Sequence, residues 1–143
     1  MRMRKLLCFF LAAAMVLSAV SCRKEENKSN LLTGYWNRTD ESETITPEPN
    51  FPIAPKVQSS RTLHFDPDGT FTDKTTSTDD SGTWSLSGSK LTMTYTEEEG
   101  TYDIVYNIKS ISKSTLVLVY TLFFDHDGTS YKQVETETFA KLE

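Results

Sequence analysis

From Lys90 to Thr96 the chain alternates with a strict period of two, with Leu91, Met93 and Tyr95 on one side and Thr92, Thr94 and Thr96 on the other. Only an extended strand places every second side chain on one face. This stretch therefore commits the chain to a sheet with a dry side and a wet side. The pattern recurs: Leu63 and Phe65 share a face within Arg61 to Phe65, Phe71 sits in the next short strand, and Trp84 and Leu86 share a face within Thr83 to Leu86. Thr101 to Ile108 puts Tyr102, Ile104, Tyr106 and Ile108 together, and Ile111 breaks that parity, which predicts a bulge near Lys109. Further strands are predicted at Thr33 to Thr39, Thr115 to Phe124 and Tyr131 to Leu142.

Short turn signals separate these runs: Asp66-Pro67-Asp68-Gly69, Asp79-Asp80-Ser81-Gly82, Ser87-Gly88-Ser89, Glu97 to Gly100, Ser112-Lys113-Ser114 and Asp125-His126-Asp127-Gly128. Asp40 to Lys56 holds Pro47, Pro49, Pro52 and Pro55 and is predicted as a long loop. About eight strands with short links predict an all-β fold, a small antiparallel up-and-down barrel over residues 31–143. Closure removes the free edges that an open sheet would expose.

The first 21 residues differ from the rest. Arg2, Arg4 and Lys5 precede an apolar run from Leu6 to Val20, the layout of a cleaved secretory signal and shorter than the roughly 20 residues a membrane span needs. Cys8 leaves with that signal, so Cys22 is the sole cysteine of the mature chain and no internal disulfide can form. The signal carries three of the 15 basic residues and none of the 20 acidic ones, so the mature chain has a net charge of −8. Such a chain repels phosphate backbones, which argues against a nucleic-acid partner.

Ala19-Val20-Ser21-Cys22 resembles the lipobox of bacterial lipoproteins, with Ala19 departing from the usual Leu. The resemblance implies cleavage before Cys22, acylation of its sulfur, and a lipid anchor in the outer membrane. Residues 22–30 are then the lipidated cysteine and a polar tether, predicted to be disordered. Lys24-Glu25-Glu26 looks like the short tag that routes some lipoproteins of Gram-negative anaerobes outward, so the periplasmic face and the cell surface both stand as destinations.

Gly34-Tyr35-Trp36 resembles the Gly-x-Trp opening of lipocalins, and the runs from Leu63 to Phe71 and from Gly82 to Leu91 look like lipocalin-like domains of such lipoproteins. The resemblance implies a barrel with an aromatic packed inside, and a loop after the first strand that can lie across the open end. It identifies no ligand.

A lumen is the first functional idea. Trp36, Phe65, Trp84, Tyr95, Tyr102, Tyr106 and Tyr120 are candidate ligand contacts for a small apolar or amphipathic molecule, alongside Leu63, Phe71, Leu86, Met93, Ile104, Leu118 and Phe139 as inward residues. The competing reading is that these side chains simply fill an interior that, with eight strands, is barely wide enough for them. In that case the protein works through its outer face. Val117, Val119 and Phe123 are predicted to point outward from a strand whose inward set is Leu116, Leu118, Tyr120, Leu122 and Phe124, and an outward apolar row needs a cover. Phe51 and Ile53 of the proline-rich loop are one candidate cover and a partner protein is the other.

No constellation points to a reaction, a metal or a cofactor. Asp66-x-Asp68-Gly69 and Asp125-x-Asp127-Gly128 lack the flanking ligands of a calcium loop, since Thr75 and Val134 stand where a bidentate Glu belongs. His64 and His126 have no Cys or Glu at ligand spacing.

Overall fold

In a computed structural model, which describes residues 28–56 and 59–143, eight antiparallel strands close into one barrel in sequence order. They are β1 (Gly34–Thr46), β2 (Arg61–Phe65), β3 (Thr70–Thr75), β4 (Asp79–Ser87), β5 (Lys90–Glu97), β6 (Gly100–Ile111), β7 (Thr115–His126) and β8 (Thr129–Lys141). The expected fold class is the observed one, and β8 returns to pair with β1. The cleavage site, Cys22 and the proposed sorting residues lie outside the described residues.

Alternation builds the core. Leu91, Met93 and Tyr95 are buried while Thr92 and Thr94 are half-buried on the other face. The fully buried apolar set includes Trp36, Phe65, Phe71, Leu116, Leu118 and Phe139. Edge-on rings lock part of it, with Phe65 5.8 Å from Trp84 and Phe71 4.9 Å from Tyr95. The expected bulge appears as a register shift between Ile108 and Ser110.

Three expectations are corrected. Residues 40–46 are not loop: β1 continues to Thr46 and pairs with β8 throughout. Its inward side there is charged, so no apolar rhythm announced it. A second bulge between Arg38 and Asp40 reverses the parity, which turns Arg38 and Glu41 to the same interior. Next, Asp79-Asp80-Ser81-Gly82 belongs to β4, and the turn lies just before it, where the Thr75 hydroxyl accepts from the amides of Ser77 (3.2 Å) and Thr78 (3.0 Å). Gly82 is required by close approach, since a Cβ there would sit 1.8 Å from the Thr94 carbonyl oxygen. Last, residues 28–32 form a short helix, so the three tether residues 28–30 are ordered.

That helix closes one end of the barrel. Leu32 is fully buried, its carbonyl accepts from Trp36 Nε1 at 2.7 Å, and Lys141 Nζ donates to Leu31 O at 3.0 Å. The β2–β3, β4–β5 and β6–β7 turns share this sealed end. The opposite end carries the β3–β4, β5–β6 and β7–β8 turns and the strap between β1 and β2. The Asp125–Gly128 turn tightens to Asp127 (φ 47°) and Gly128 (φ 77°), the left-handed pair of a two-residue hairpin.

Candidate functional site

Halfway up the barrel the interior changes from apolar to ionic. Arg61 on β2 and Asp73 on β3 take the inward parity of Leu63 and Phe71, and Glu137 on β8 takes that of Phe139. The Arg61 guanidinium grips Asp73 with two bonds, Nε–Oδ1 at 3.0 Å and Nη2–Oδ2 at 2.7 Å. Its Nη1 donates to Glu137 Oε2, and Glu137 Oε1 accepts from Arg38 Nη1 at 2.6 Å. Tyr95 donates its hydroxyl to Asp73 Oδ2 at 2.7 Å, and Arg61 reaches Tyr106 Oη at 3.2 Å. This brace crosses the lumen and joins six of the eight strands.

Its chemistry follows from burial. Burial opposes the Arg61 charge, but the bond to Asp73 and the field of Glu137 outweigh it and raise the guanidinium pKa further. Burial, reinforced by the Asp73 charge, pushes the Tyr95 phenol up, and burial does the same for Tyr106. Among the described residues every buried side-chain nitrogen or oxygen has a partner. The brace is therefore a fully hydrogen-bonded buried network.

Above the brace a second cluster sits under the strap. Lys56 Nζ bonds Glu41, Glu135 Oε2 at 3.0 Å and Glu43 Oε2 at 3.3 Å, while Arg38 Nη1 meets Glu41 Oε2 at 3.0 Å. Burial works against the Lys56 charge, yet its bonds to Glu41 and Glu135 raise the pKa. Burial would lift Glu41, but Lys56 and Arg38 hold it low; burial and neighbouring Glu137 lift Glu135. Carboxylate oxygens of Glu41, Glu135 and Glu137 lie within 4.8 Å of one another, a spacing a cation could use, but Lys56 and Arg38 already supply the positive charge there.

The candidate ligand residues separate into three groups. Trp36 and Phe65 are fully buried in the sealed half, with Trp84 packed against them. Tyr95 and Tyr106 belong to the brace. Tyr102 and Tyr120 stand at the open end: Tyr102 stacks on Tyr95 at 5.0 Å and Tyr120 lies 5.9 Å from Tyr106. Most inward residues are buried or half-buried, yet Tyr102 is 42% exposed and Leu122 is 40% exposed. The cause is backbone. β6 and β7 pair only from Asn107–Val119 toward the sealed end, and beyond that point residues 100–106 and 120–126 part.

The strap does not cover the outward row. Phe51 packs on the inward face of the β7–β8 hairpin, 4.4 Å from His126 and 5.4 Å from Tyr131, and Ile53 is exposed. Phe123 is left 72% exposed, with Val117 and Val119 half-buried beside it. His64 stacks outside on Tyr35 at 3.7 Å. A small pocket of about 50 Å³ lies beside Arg38, Glu41 and Ser59, room for little more than a water or two.

Charge is divided between the ends. The hairpins of the open end present Asp79, Asp80, Glu97, Glu98, Glu99, Asp103, Asp125 and Asp127, all exposed, against Lys74 and Lys132. The sealed end carries Lys28, Lys90, Lys113 and Lys141 against Asp66, Asp68 and Glu143, so its balance is not acidic.

Arg61, Asp73 and Glu137 were missed by the sequence reading, although each is a charged residue two positions from an inward aromatic or leucine. Comparison with known sequences finds the sequence model of the lipocalin-like domain matching residues 32–118, more than half of the chain. No curated protein sequence matches.

Proposed function

The chain belongs to the lipocalin-like domain family, and on that premise we propose that it is a lipid-anchored binding module whose ligand site is the open end of the barrel. Family membership suggests ligand binding in general. The observation that carries the location is the exposure of Tyr102 and Leu122, two inward side chains left wet by the parting of β6 and β7. The ligand is amphipathic: its apolar part lies on Tyr102, Tyr120 and Leu122, and its polar part meets the acidic rim. Trp36, Phe65 and Trp84 support this site from below by filling the lumen floor. The proposed role is binding rather than catalysis, in keeping with a brace whose charged groups are engaged with one another.

Acyl chains on Cys22 would hold this module at the outer membrane. Lys28 follows Cys22 by six positions, so the sealed end lies no more than about 20 Å from the lipidated residue. The open end then faces away from the bilayer and samples the aqueous side. Cys22→Ala should move the protein from the membrane pellet to the soluble fraction; continued pelleting refutes the anchor. Calorimetric titration with dodecylamine tests the site, with binding heat expected for the parent chain and lost in Tyr102→Ala/Leu122→Ser. Equal heat in that variant places the ligand elsewhere.

A second reading rests on Phe123, whose exposure on the outer row suits a protein partner. Crosslinking in cells with a probe at position 123 should recover one specific protein if that row is an interface.

A further inference from the structure

We infer that the occupant of the open end is an extended, positively charged peptide segment that adds as a strand to the free edge of β6. This rests on the reading that the open end is the binding site and names what fills it. Residues 100–106 of β6 pair with β5 on one side. On the other side, among the described residues, they have no strand partner, because the ladder to β7 begins only at Asn107. Half the amides and carbonyls of such an edge point into the gap, a template for another strand. A hydrocarbon amphiphile leaves those groups to water, whereas a peptide in β conformation pairs with them.

Side chains set the register and the charge. A strand laid on β6 alternates between the two faces. One set of its side chains faces inward against Tyr102 and Tyr120, where the apolar surface is. The other set faces outward among Glu97, Glu98, Glu99 and Asp103 on the β6 side and Asp125 and Asp127 on the β7 side. Those carboxylates call for Lys or Arg at every second position. They also bear on Tyr102 itself, whose phenol is pushed up by burial and by the charges of Glu97 and Asp80. The free edge is seven residues long, which fixes the length of a matching segment.

The probe is the peptide Lys-Val-Lys-Tyr-Lys-Val-Lys, titrated into the mature chain with Cys22→Ser. Binding is expected, with amide-exchange protection appearing at residues 100–106. Affinity should fall about tenfold when ionic strength rises from about 0.05 M to about 0.5 M, and about tenfold again in Glu98→Lys/Glu99→Lys. An analogue N-methylated at alternate residues keeps the charges but lacks the donors, and it should bind at least about tenfold more weakly. Equal binding of the two peptides overturns strand addition while leaving the open end as the site. Dodecylamine heat that depends on Tyr102 and Leu122, with no peptide binding, overturns the peptide and keeps the site. No binding of either probe removes both. A dimer in sedimentation that Val105→Lys dissolves, with no peptide binding, makes a second copy the occupant and overturns the inference.

Discussion

The two ends of this barrel share one wall and one strand alternation, yet they solve the interior differently. At the sealed end the inward positions hold Trp36, Phe65, Leu116, Leu118 and Phe139, all fully buried, and a short helix inserts Leu32 as a plug. At the open end the same parity delivers Arg38, Glu41, Glu43, Glu135 and Gln133, with Tyr102 and Leu122 left wet. The difference teaches that an inward parity specifies direction and not polarity. Apolar packing closes one end, and paired charge lines the other without closing it. A binding role follows more naturally from the second end, because there the inward side chains of Tyr102 and Leu122 are as open as surface residues, at 42% and 40% exposure.

The sharpest way to break this contrast is to unpair the brace. Arg61→Met removes the cationic partner of Asp73 and one of the two that hold Glu137, Arg38 remaining, while both carboxylates stay buried, and should cost about 3–5 kcal/mol of stability in denaturant titration. Replacing all three by apolar residues of similar size should restore most of that loss, since the cost of the single change lies in the orphaned charges. A brace variant with near-parent stability would show that water already reaches the ions, and would erase the boundary between the halves.

Leu32→Ala probes the other half. It removes a fully buried side chain from the plug and should cost about 2–5 kcal/mol, the upper part of that range if the helix cannot settle into the space. A cost under about 1 kcal/mol would mean that the helix rests on the barrel without sealing it.

Alkali discriminates the halves by chemistry rather than by mutation. Tyr95 and Tyr106 have folded pKa values raised above the ordinary 10.0, so the folded chain keeps protons that the unfolded chain releases. The contribution of these two tyrosines is then constant below pH 10 and falls above it, by about 1.4 kcal/mol per pH unit per tyrosine until each folded pKa is reached. Tyr95→Phe/Tyr106→Phe should flatten that decline. A variant that keeps the parent slope would assign the alkaline loss to other groups.

Much of this was legible in the chain. The period-two runs specified the strands, the barrel and the Lys109 bulge, because each places apolar residues on one side of a ribbon. The upper half of β1 was illegible for the same reason inverted: Glu41, Glu43 and Ile45 do alternate inward, but two of the three are charged and read as loop. Gly82 misled because glycine serves both turns and close approaches, and only the packing of Thr94 against it tells which. Of the candidate site residues, Tyr102 and Tyr120 reach the open end and the others do not, a division set by where β6 and β7 part, which no local pattern records.

The smallest expected effect is the most informative about function. Phe123→Asp changes a side chain that is 72% exposed and touches neither the brace nor the plug, so stability should move by no more than about 0.5 kcal/mol. Peptide affinity should not fall, because residue 123 shares the outward parity of Asp125, on the side where the peptide's lysines are expected, and an added carboxylate there can only favour a cation. If instead the change weakens a cellular crosslink while dodecylamine binding is intact, two surfaces are at work. A loss of folding would require that Phe123 be covered by the chain itself, and the packing of Phe51 on the opposite face of the hairpin leaves no segment placed to cover it among the described residues.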